Sequence, residues 1–200
     1  MFKMRKEVIV TDIYAVLFPF VDTFSRWHNQ EYGTDLSRDD FNSYEFNDTL
    51  GVSVPETVHR VHQFLSMDHV LRGVEPLEHS MSAISKLSGE YSLKAITARH
   101  PQFEGVTRDY LLRYFTNNIV EMTLVGTEAT MNQVRTKAEV CLEVGAIALI
   151  DDSTKHVSEC VEGGITGILF GDYPWNRVNS LPDGVIRYSN WGGVLRHFDV

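Results

Sequence analysis

The chain has 200 residues, of which 43% are hydrophobic and 22% charged, and its formal charge is −9. These values predict one globular domain, or one domain with a modest insertion, that can bury a core. The negative charge argues against a nucleic-acid polymer or a basic membrane surface as the partner. We expect no signal peptide or membrane span, two reduced thiols (Cys141 and Cys160) and a cytoplasmic location.

The first predicted strand ends in a carboxylate. The apolar, β-branched run Val8-Ile9-Val10 leads to Asp12, and a second apolar run follows it. Such a run is typical of a strand that is buried on both faces of a parallel sheet. Burying an unpaired carboxylate is costly, so we expect Asp12 at the carboxyl end of the strand. Open α/β sheets bind their ligands in a crevice at that end.

The segment after this strand has helical patterns and no convincing strand. Helices are predicted at three places: 20–32 with Gly33 as the C-cap, 36–41 with Ser37 as the N-cap, and from Pro55 onward. The polar stretch 42–53 is predicted to be a loop. We interpret residues 20–75 as a helical cap inserted over the crevice, and residues 1–19 and 76–200 as the core domain.

Strands and helices alternate over the rest of the chain. Strands are predicted at 91–97, 119–125, 146–150, 165–170 and 186–188. Helices are predicted at 77–87, 103–115, 136–144, 154–162 and 191–198. This alternation implies crossover connections and a parallel sheet with helices on both faces.

Polar residues recur where the predicted strands end. Thr97 ends the second strand, Asp151 and Asp152 end the fourth, and Lys137 opens the helix before the fourth. Because the carboxyl ends of parallel strands meet at one edge, these residues and Asp12 should face one crevice.

This order of motifs resembles the haloacid dehalogenase (HAD) superfamily. Its motifs are a strand ending D-x-D, a strand ending in Ser or Thr, a lone Lys and a strand ending in paired acidic residues. The finer pattern is similar to the 5′-nucleotidase and deoxyribonucleotidase branch, in Asp12-x-x-x-Val16-Leu17-Phe18-x-Phe20 and in residues 32–36, 96–99, 149–153 and 172–176. The resemblance implies a HAD-like Rossmannoid α/β fold with a small helical cap after the first strand.

The resemblance also implies a phosphohydrolase that acts on a small phosphomonoester, such as a nucleotide, as a monomer or homodimer. Asp12 would form an aspartyl-phosphate, which water then hydrolyses. Thr97, Lys137 and the backbone near Ala98 would hold the phosphoryl oxygens.

The implied cofactor is Mg²⁺, which prefers oxygen ligands. Asp12, the carbonyl of Tyr14 and Asp152 would bind it, with Asp151 acting directly or through water. By resemblance, Asp152 is the better candidate of the acidic pair.

Four side chains are candidates for the substrate crevice. Phe20 lies eight residues after the nucleophile, where the branch stacks an aromatic ring on the nucleobase, although a core contact between cap and sheet is at least as good an interpretation. Arg99 is a candidate for the crevice, as are Arg108 and Trp175, and each of these three also suits a structural role. His59, His62 and His69 lack the spacing of a zinc site.

The chain departs from the phosphatase pattern at Tyr14, where those enzymes have a second Asp. Tyrosine, with an ordinary pKa of about 10, is a poor base at neutral pH. Losing an acid–base group lowers a rate by about 10²–10⁴-fold. Tyr14 is therefore expected to slow turnover, and a catalytically impaired phosphate- or nucleotide-binding relative is the alternative.

The D-x-Y pattern also occurs in 2-haloacid dehalogenases, which need no metal, so a dehalogenase-like hydrolase is the third hypothesis. Those enzymes usually continue with Gly-Thr, whereas this chain has Ala15-Val16. They also lack the acidic pair that Asp151 and Asp152 form here.

Overall fold

The computed structural model of the protein describes residues 5–67, 72–126 and 135–200. The strands in these ranges are β1 Val8–Asp12, β2 Ser92–Thr97, β3 Ile119–Leu124, β4 Ala146–Asp151, β5 Thr166–Phe170 and β6 Val185–Tyr188. They form one sheet in the order β3-β2-β1-β4-β5-β6, and every neighbouring pair is parallel. This confirms the predicted parallel sheet. β1 lies between β2 and β4, and the order of the strands along the chain reverses at this point of the sheet. Open α/β sheets form their ligand crevice at the carboxyl end of such a strand, and Asp12 is the last residue of β1.

Helices cover both faces of the sheet, as predicted. They are α1 Phe20–Tyr32, α2 Phe46–Leu50, α3 Val54–Leu65, α4 Ser80–Glu90, α5 Glu104–Phe115, α6 Lys137–Glu143, α7 Thr154–Glu162 and α8 Trp191–His197. Successive side chains of a strand point to opposite faces. Ile9 therefore packs with residues of α4, α5 and α8, whereas Val8 and Val10 pack with residues of α6 and α7.

An aromatic cluster joins α1, α2 and α3. Phe24 of α1 is fully buried, and its ring lies 5.6 to 6.5 Å from the rings of Phe20, Phe41, Phe46 and Phe64. These helices form the small helical cap of the predicted fold class. The division of the chain at residues 20 and 75 into two domains remains a prediction.

Three local predictions were wrong. The predicted loop 42–53 contains α2, because Phe46 packs 4.8 Å from Phe41 in the aromatic cluster. The helix start predicted at 36–41 has Ser37 as its cap, as predicted, but continues for only a single 3₁₀ turn, Arg38–Asp40. The predicted helix 77–87 begins at Ser80 and continues past Gly89 to Glu90, and Met81 is 46% exposed on its outer side.

The loop between β1 and α1 turns sharply beside the sheet edge. Ala15 has a φ of 53°, a left-handed conformation that is uncommon for a residue with a Cβ. Four donors from other parts of the chain fix the carbonyls of this loop. They are Tyr173 Oη on Ala15 O at 2.7 Å, Trp191 Nε1 on Val16 O at 3.1 Å, and the Leu77 N–H and Tyr110 Oη on Leu17 O at 2.8 and 3.4 Å.

Candidate active site

Lys137 lies between two of the predicted carboxylates. Its Nζ donates to Asp12 Oδ1 at 2.6 Å and to Asp151 Oδ2 at 2.7 Å. The lysine is the first residue of α6, and Thr136 caps that helix in a reciprocal capping box with Glu139. Lys137 is only 4% exposed, so it is not a solvated surface lysine.

The charges of this cluster shift one another's ionisation. Burial opposes the charged ammonium, but Asp12 and Asp151 raise the pKa of Lys137 above its ordinary range. Burial also opposes ionisation of Asp151, yet Lys137 and His156 hold the pKa of that carboxyl well below its usual range. Burial raises the pKa of Asp12 to about 6, against the attraction of Lys137. Asp12 is therefore ionised at neutral pH and above.

Asp12, Asp151 and Asp152 form a group that fits a metal ion. Each offers an oxygen, these atoms lie within 4.8 Å of one another, and all three residues are buried. Burial and the neighbouring Asp151 raise the pKa of Asp152 well above its usual range. Three carboxylates beside one ammonium leave an excess of negative charge, which a hard divalent cation with oxygen ligands would neutralise.

Residues 5–67, 72–126 and 135–200 contain no other group of three metal-ligating side chains. His59 and His62 belong to no such group there, and His69 lies outside the described residues.

The two acidic neighbours have different surroundings. Besides Lys137, Asp151 accepts the Ser153 N–H at 2.8 Å, and its Oδ1 lies 3.2 Å from His156 Nδ1. Asp152 accepts the indole N–H of Trp175 at 2.7 Å through one oxygen. Both oxygens of Asp151 are thus engaged by protein donors, which favours Asp152 as the direct metal ligand.

Tyr14 contributes a carbonyl, a ring and a hydroxyl to the same region. The other carbonyls from Ile13 to Phe18 each accept a hydrogen bond, but none within the described part of the chain reaches the Tyr14 carbonyl. That carbonyl fits the predicted role of metal ligand. The ring lies 4.4 Å from the Phe20 ring, and the buried hydroxyl has no hydrogen-bond partner among the described residues.

A cavity of about 500 Å³ opens over the cluster. Asp12, Thr97, Lys137 and Asp152 line its inner end, together with Tyr14, Ala98 and Arg99. The cap supplies a largely apolar outer wall from Phe20, Phe46, Val54, Val58 and Val61. The structure thus brings all the predicted site residues to one cavity except Asp151, which lies behind Lys137, and the candidate Arg108. Phe20 both lines the cavity and packs in the core of the cap, so its two predicted roles are compatible.

Arg99 is a buried cation without an ion pair. It is 6% exposed, and no described carboxylate lies within ion-pairing distance of it. Its Cζ lies 4.1 Å from the centre of the Tyr14 ring, and Nη1 donates to Thr107 Oγ1. Burial lowers the pKa of Arg99 to about 9, although Asp12 opposes that shift, so the group stays charged at neutral pH.

The surroundings of Arg99 do not offset its burial. Burying an unpaired ion destabilises the fold by on the order of several kcal/mol, whereas a desolvated cation–π contact stabilises it by about 2 kcal/mol. The guanidinium Nε is also buried without a hydrogen-bond partner in the described residues.

Three contributors were missed or undervalued in the sequence. His156 contacts Asp151 from the first turn of α7, and only its five-residue spacing from Asp151 could have indicated this. Thr107 anchors Arg99, which no local pattern indicates. Trp175 bonds Asp152 directly, whereas Arg108 is exposed, pairs with Glu104 and does not line the cavity.

Comparison of the sequence with protein families identifies its relatives. Residues 6–197 match the family described as 5′ nucleotidase, deoxy (pyrimidine), cytosolic type C protein (NT5C). The chain belongs to this family. It is therefore a hydrolase of the HAD superfamily, in its phosphatase and nucleotidase group. A comparison with curated proteins found no match.

Solved structures with little sequence identity share the fold of this NT5C-family chain. A haloacid dehalogenase-like hydrolase from Streptococcus pneumoniae has a TM-score of 0.68 at 13% identity, covering 96% of this chain and 98% of its own. The HAD-hydrolase YfnB from Bacillus subtilis, bound to magnesium, has a TM-score of 0.65 at 10% identity, covering 98% and 100%.

A HAD family hydrolase from Deinococcus radiodurans, with bound phosphate and sodium, has a TM-score of 0.63 at 11% identity, covering 98% of this chain and 96% of its own.

Within the described residues, no helix combines the length and apolarity needed to cross a membrane.

Proposed function

We propose that this protein is a Mg²⁺-dependent phosphohydrolase that removes the phosphoryl group of a small phosphomonoester of the nucleotide class through Asp12. The observation that carries the proposal is the position of Asp12 at the end of β1. There its carboxylate is held 2.6 Å from Lys137 and belongs to the group of three carboxylates. A nucleophile beside a fixed cation and a metal-fitting group suits in-line phosphoryl transfer.

The reaction has two displacements. An Asp12 oxygen attacks phosphorus while the bond from phosphorus to the leaving-group oxygen breaks, and that oxygen takes up a proton. Water then attacks the phosphorus of the aspartyl-phosphate and restores the carboxylate as inorganic phosphate leaves. Lys137 and Thr97 hold the phosphoryl oxygens in both steps. Asp12, Asp152 and the Tyr14 carbonyl would hold Mg²⁺, which would neutralise part of the phosphoryl charge.

Two of the structural relatives support the ligand classes in this proposal. The Bacillus subtilis protein is described as bound to magnesium, and the Deinococcus radiodurans protein as bound to phosphate. The apolar outer wall of the cavity, with the Phe20 ring at its edge, suits the flat, uncharged base of a nucleotide.

Tyr14 limits the acid–base chemistry. Its buried hydroxyl has no hydrogen-bond partner within the described part of the chain, so it is available to protonate a leaving-group oxygen. A phenol is a poor base at neutral pH, so the attack of water on the aspartyl-phosphate should be the slow step.

The proposal predicts phosphate release from at least one member of a panel of nucleotides and sugar phosphates, in the presence of Mg²⁺. Release should stop with a chelator and in the near-isosteric variant Asp12→Asn. Tyr14→Asp should raise kcat because it restores the missing acid–base group. A panel with no phosphate release would rule out the enzyme, and an unchanged kcat in Tyr14→Asp would contradict the role of Tyr14.

A second candidate is a phosphate- or nucleotide-binding protein without efficient turnover. The observation in its favour is that the side chain two residues after Asp12 is a phenol rather than a carboxylate. It predicts that nucleotides with Mg²⁺ raise the melting temperature while no phosphate appears. A dehalogenase would instead release halide from a 2-haloacid without metal, a reaction that leaves the acidic pair Asp151 and Asp152 without a use.

A further inference from the structure

We propose that Arg99 binds the phosphoryl group of the substrate and that the ring of Tyr14 positions it for this task. This inference rests on the proposed function and assigns to Tyr14 a role separate from proton transfer. Arg99 would contact the substrate directly, whereas the Tyr14 ring would act through Arg99.

The protein holds Arg99 at its backbone and at its side chain. The backbone N–H donates to Thr97 Oγ1 at 3.3 Å, and Nη1 of the guanidinium donates to Thr107 Oγ1. Cζ lies 4.1 Å above the Tyr14 ring and 5.8 Å from the Phe18 ring. A guanidinium with its plane fixed in this way loses little conformational freedom when it binds an anion.

The donors left over at Arg99 point to an anionic ligand. Nε is buried and unpartnered, and no carboxylate of the described residues pairs with the side chain. Arg99 lines the same cavity as Asp12, Thr97 and Lys137. A guanidinium binds a phosphoryl group through two parallel hydrogen bonds, which would satisfy the free donor and compensate the buried charge.

The residue at position 14 decides whether Arg99 is available. A carboxylate there would pair with the guanidinium that now lies over the Tyr14 ring, and so occupy its donors. An aromatic ring holds the cation by its face and leaves the N–H edges free. Tyrosine in place of a second Asp at position 14 therefore weakens the acid–base chemistry but leaves Arg99 free to bind the phosphoryl group.

Binding of inorganic phosphate with Mg²⁺, measured by isothermal titration calorimetry, tests this role of Arg99. Arg99→Met keeps the apolar stem and should weaken binding by about 10- to 100-fold, the effect of losing a charge-assisted hydrogen bond. Arg99→Lys should lose part of this affinity because it keeps the charge without the planar donors. Arg108→Met is the matched control, since Arg108 is exposed on α5 and outside the cavity, and it should bind phosphate as the wild type does.

Variants at Tyr14 test the positioning. Tyr14→Phe keeps the ring and should retain phosphate affinity, although it loses the hydroxyl. Tyr14→Leu removes the ring and should weaken binding about as much as Arg99→Met does, and the double variant should show no further loss. Tyr14→Asp should raise KM while it raises kcat, because the new carboxylate pairs with Arg99.

Thermal melts separate this role from a structural one. Arg99→Met should melt no lower than the wild type without ligand, because it removes an unpaired buried charge and leaves Thr107 bonded to the Phe103 carbonyl. Wild-type phosphate affinity in Arg99→Met, or additive losses in the double variant, would overturn the inference. A lower melting temperature with unchanged affinity would show that Arg99 is structural. If the wild type itself binds no phosphate with Mg²⁺, the proposed function fails as well.

Discussion

Asp12 makes the stability of the metal-free protein depend on pH. Its pKa is raised from 3.8 to about 6 by burial, and the pKa of Asp152 is raised in the same direction. A carboxyl whose folded-state pKa is raised contributes stability below its unfolded pKa, and this contribution is lost as the pH rises through the folded value. Above about pH 6 the ionised cluster therefore destabilises the metal-free fold, and a divalent cation should restore the loss.

We predict that Mg²⁺ raises the melting temperature of the chelator-treated protein more at about pH 8 than at about pH 5. Asp12→Asn should melt at a higher temperature than the wild type without metal at the higher pH. The substitution removes one ionised carboxylate, while the hydrogen bond from Lys137 to Asp151 remains. Differential scanning calorimetry at both pH values provides the measurement. An equal effect of Mg²⁺ at the two values would contradict the assignment of the cluster.

Helix α6 positions Lys137 through its N-terminal cap. Thr136 accepts the Glu139 N–H at 3.1 Å, and Glu139 bonds back to the Thr136 N–H at 2.7 Å. Thr136→Ala should destabilise the fold by about 1 kcal/mol and should also lower kcat/KM, because the helix start that carries Lys137 loosens.

Thr136→Ser is the control for this element. It keeps the hydroxyl that accepts the Glu139 N–H, and so keeps the cap of α6. We expect wild-type stability in chemical denaturation and unchanged kcat/KM under conditions where both variants are folded. Equal kcat/KM in the two cap variants would argue against a link between the α6 cap and Lys137.

Elements with strong local signals were the ones that the sequence predicted well. Gly33 ends α1 with a φ of 65°, as predicted, and α3 begins at Val54 with the predicted Pro55 in its first turn. By contrast, α2 is a five-residue helix that owes its place to Phe46 in the aromatic cluster. Its stability comes from tertiary contacts that a polar local sequence does not reveal.

The whole molecule holds the nucleophile loop by contacts between distant parts of the chain. Trp191 reaches the Val16 carbonyl across 175 residues, and Tyr173 reaches the Ala15 carbonyl across 158 residues. The motif order predicted that Asp12, Thr97, Lys137 and the acidic pair would meet, because parallel strands end at one edge. No sequence pattern predicted the donors that fix the loop. Their partners are backbone carbonyls, which every residue has, so the sequence does not show which carbonyl a distant side chain contacts.

Tyr173→Phe tests this long-range support. It should destabilise the protein by about 1–3 kcal/mol, because the buried Ala15 carbonyl loses its partner, and it should lower kcat by disturbing the turn after Asp12. Tyr188→Phe is the control, because its hydroxyl meets His197 Nδ1 at 3.2 Å in a partly buried pair away from the loop. If both variants have the wild-type kcat, the loop does not depend on this bond.

The most direct test of the central claim is the detection of a phosphoryl group on Asp12. The protein is incubated with Mg²⁺ and p-nitrophenyl phosphate, quenched in acid and analysed by peptide mass spectrometry. The account predicts a phosphorylated Asp12 peptide in the wild type, accumulated because Tyr14 slows its hydrolysis, and no such peptide in Asp12→Asn. Phosphate release by both proteins, or a phosphoryl group on another residue, would contradict the assignment of Asp12 as the nucleophile.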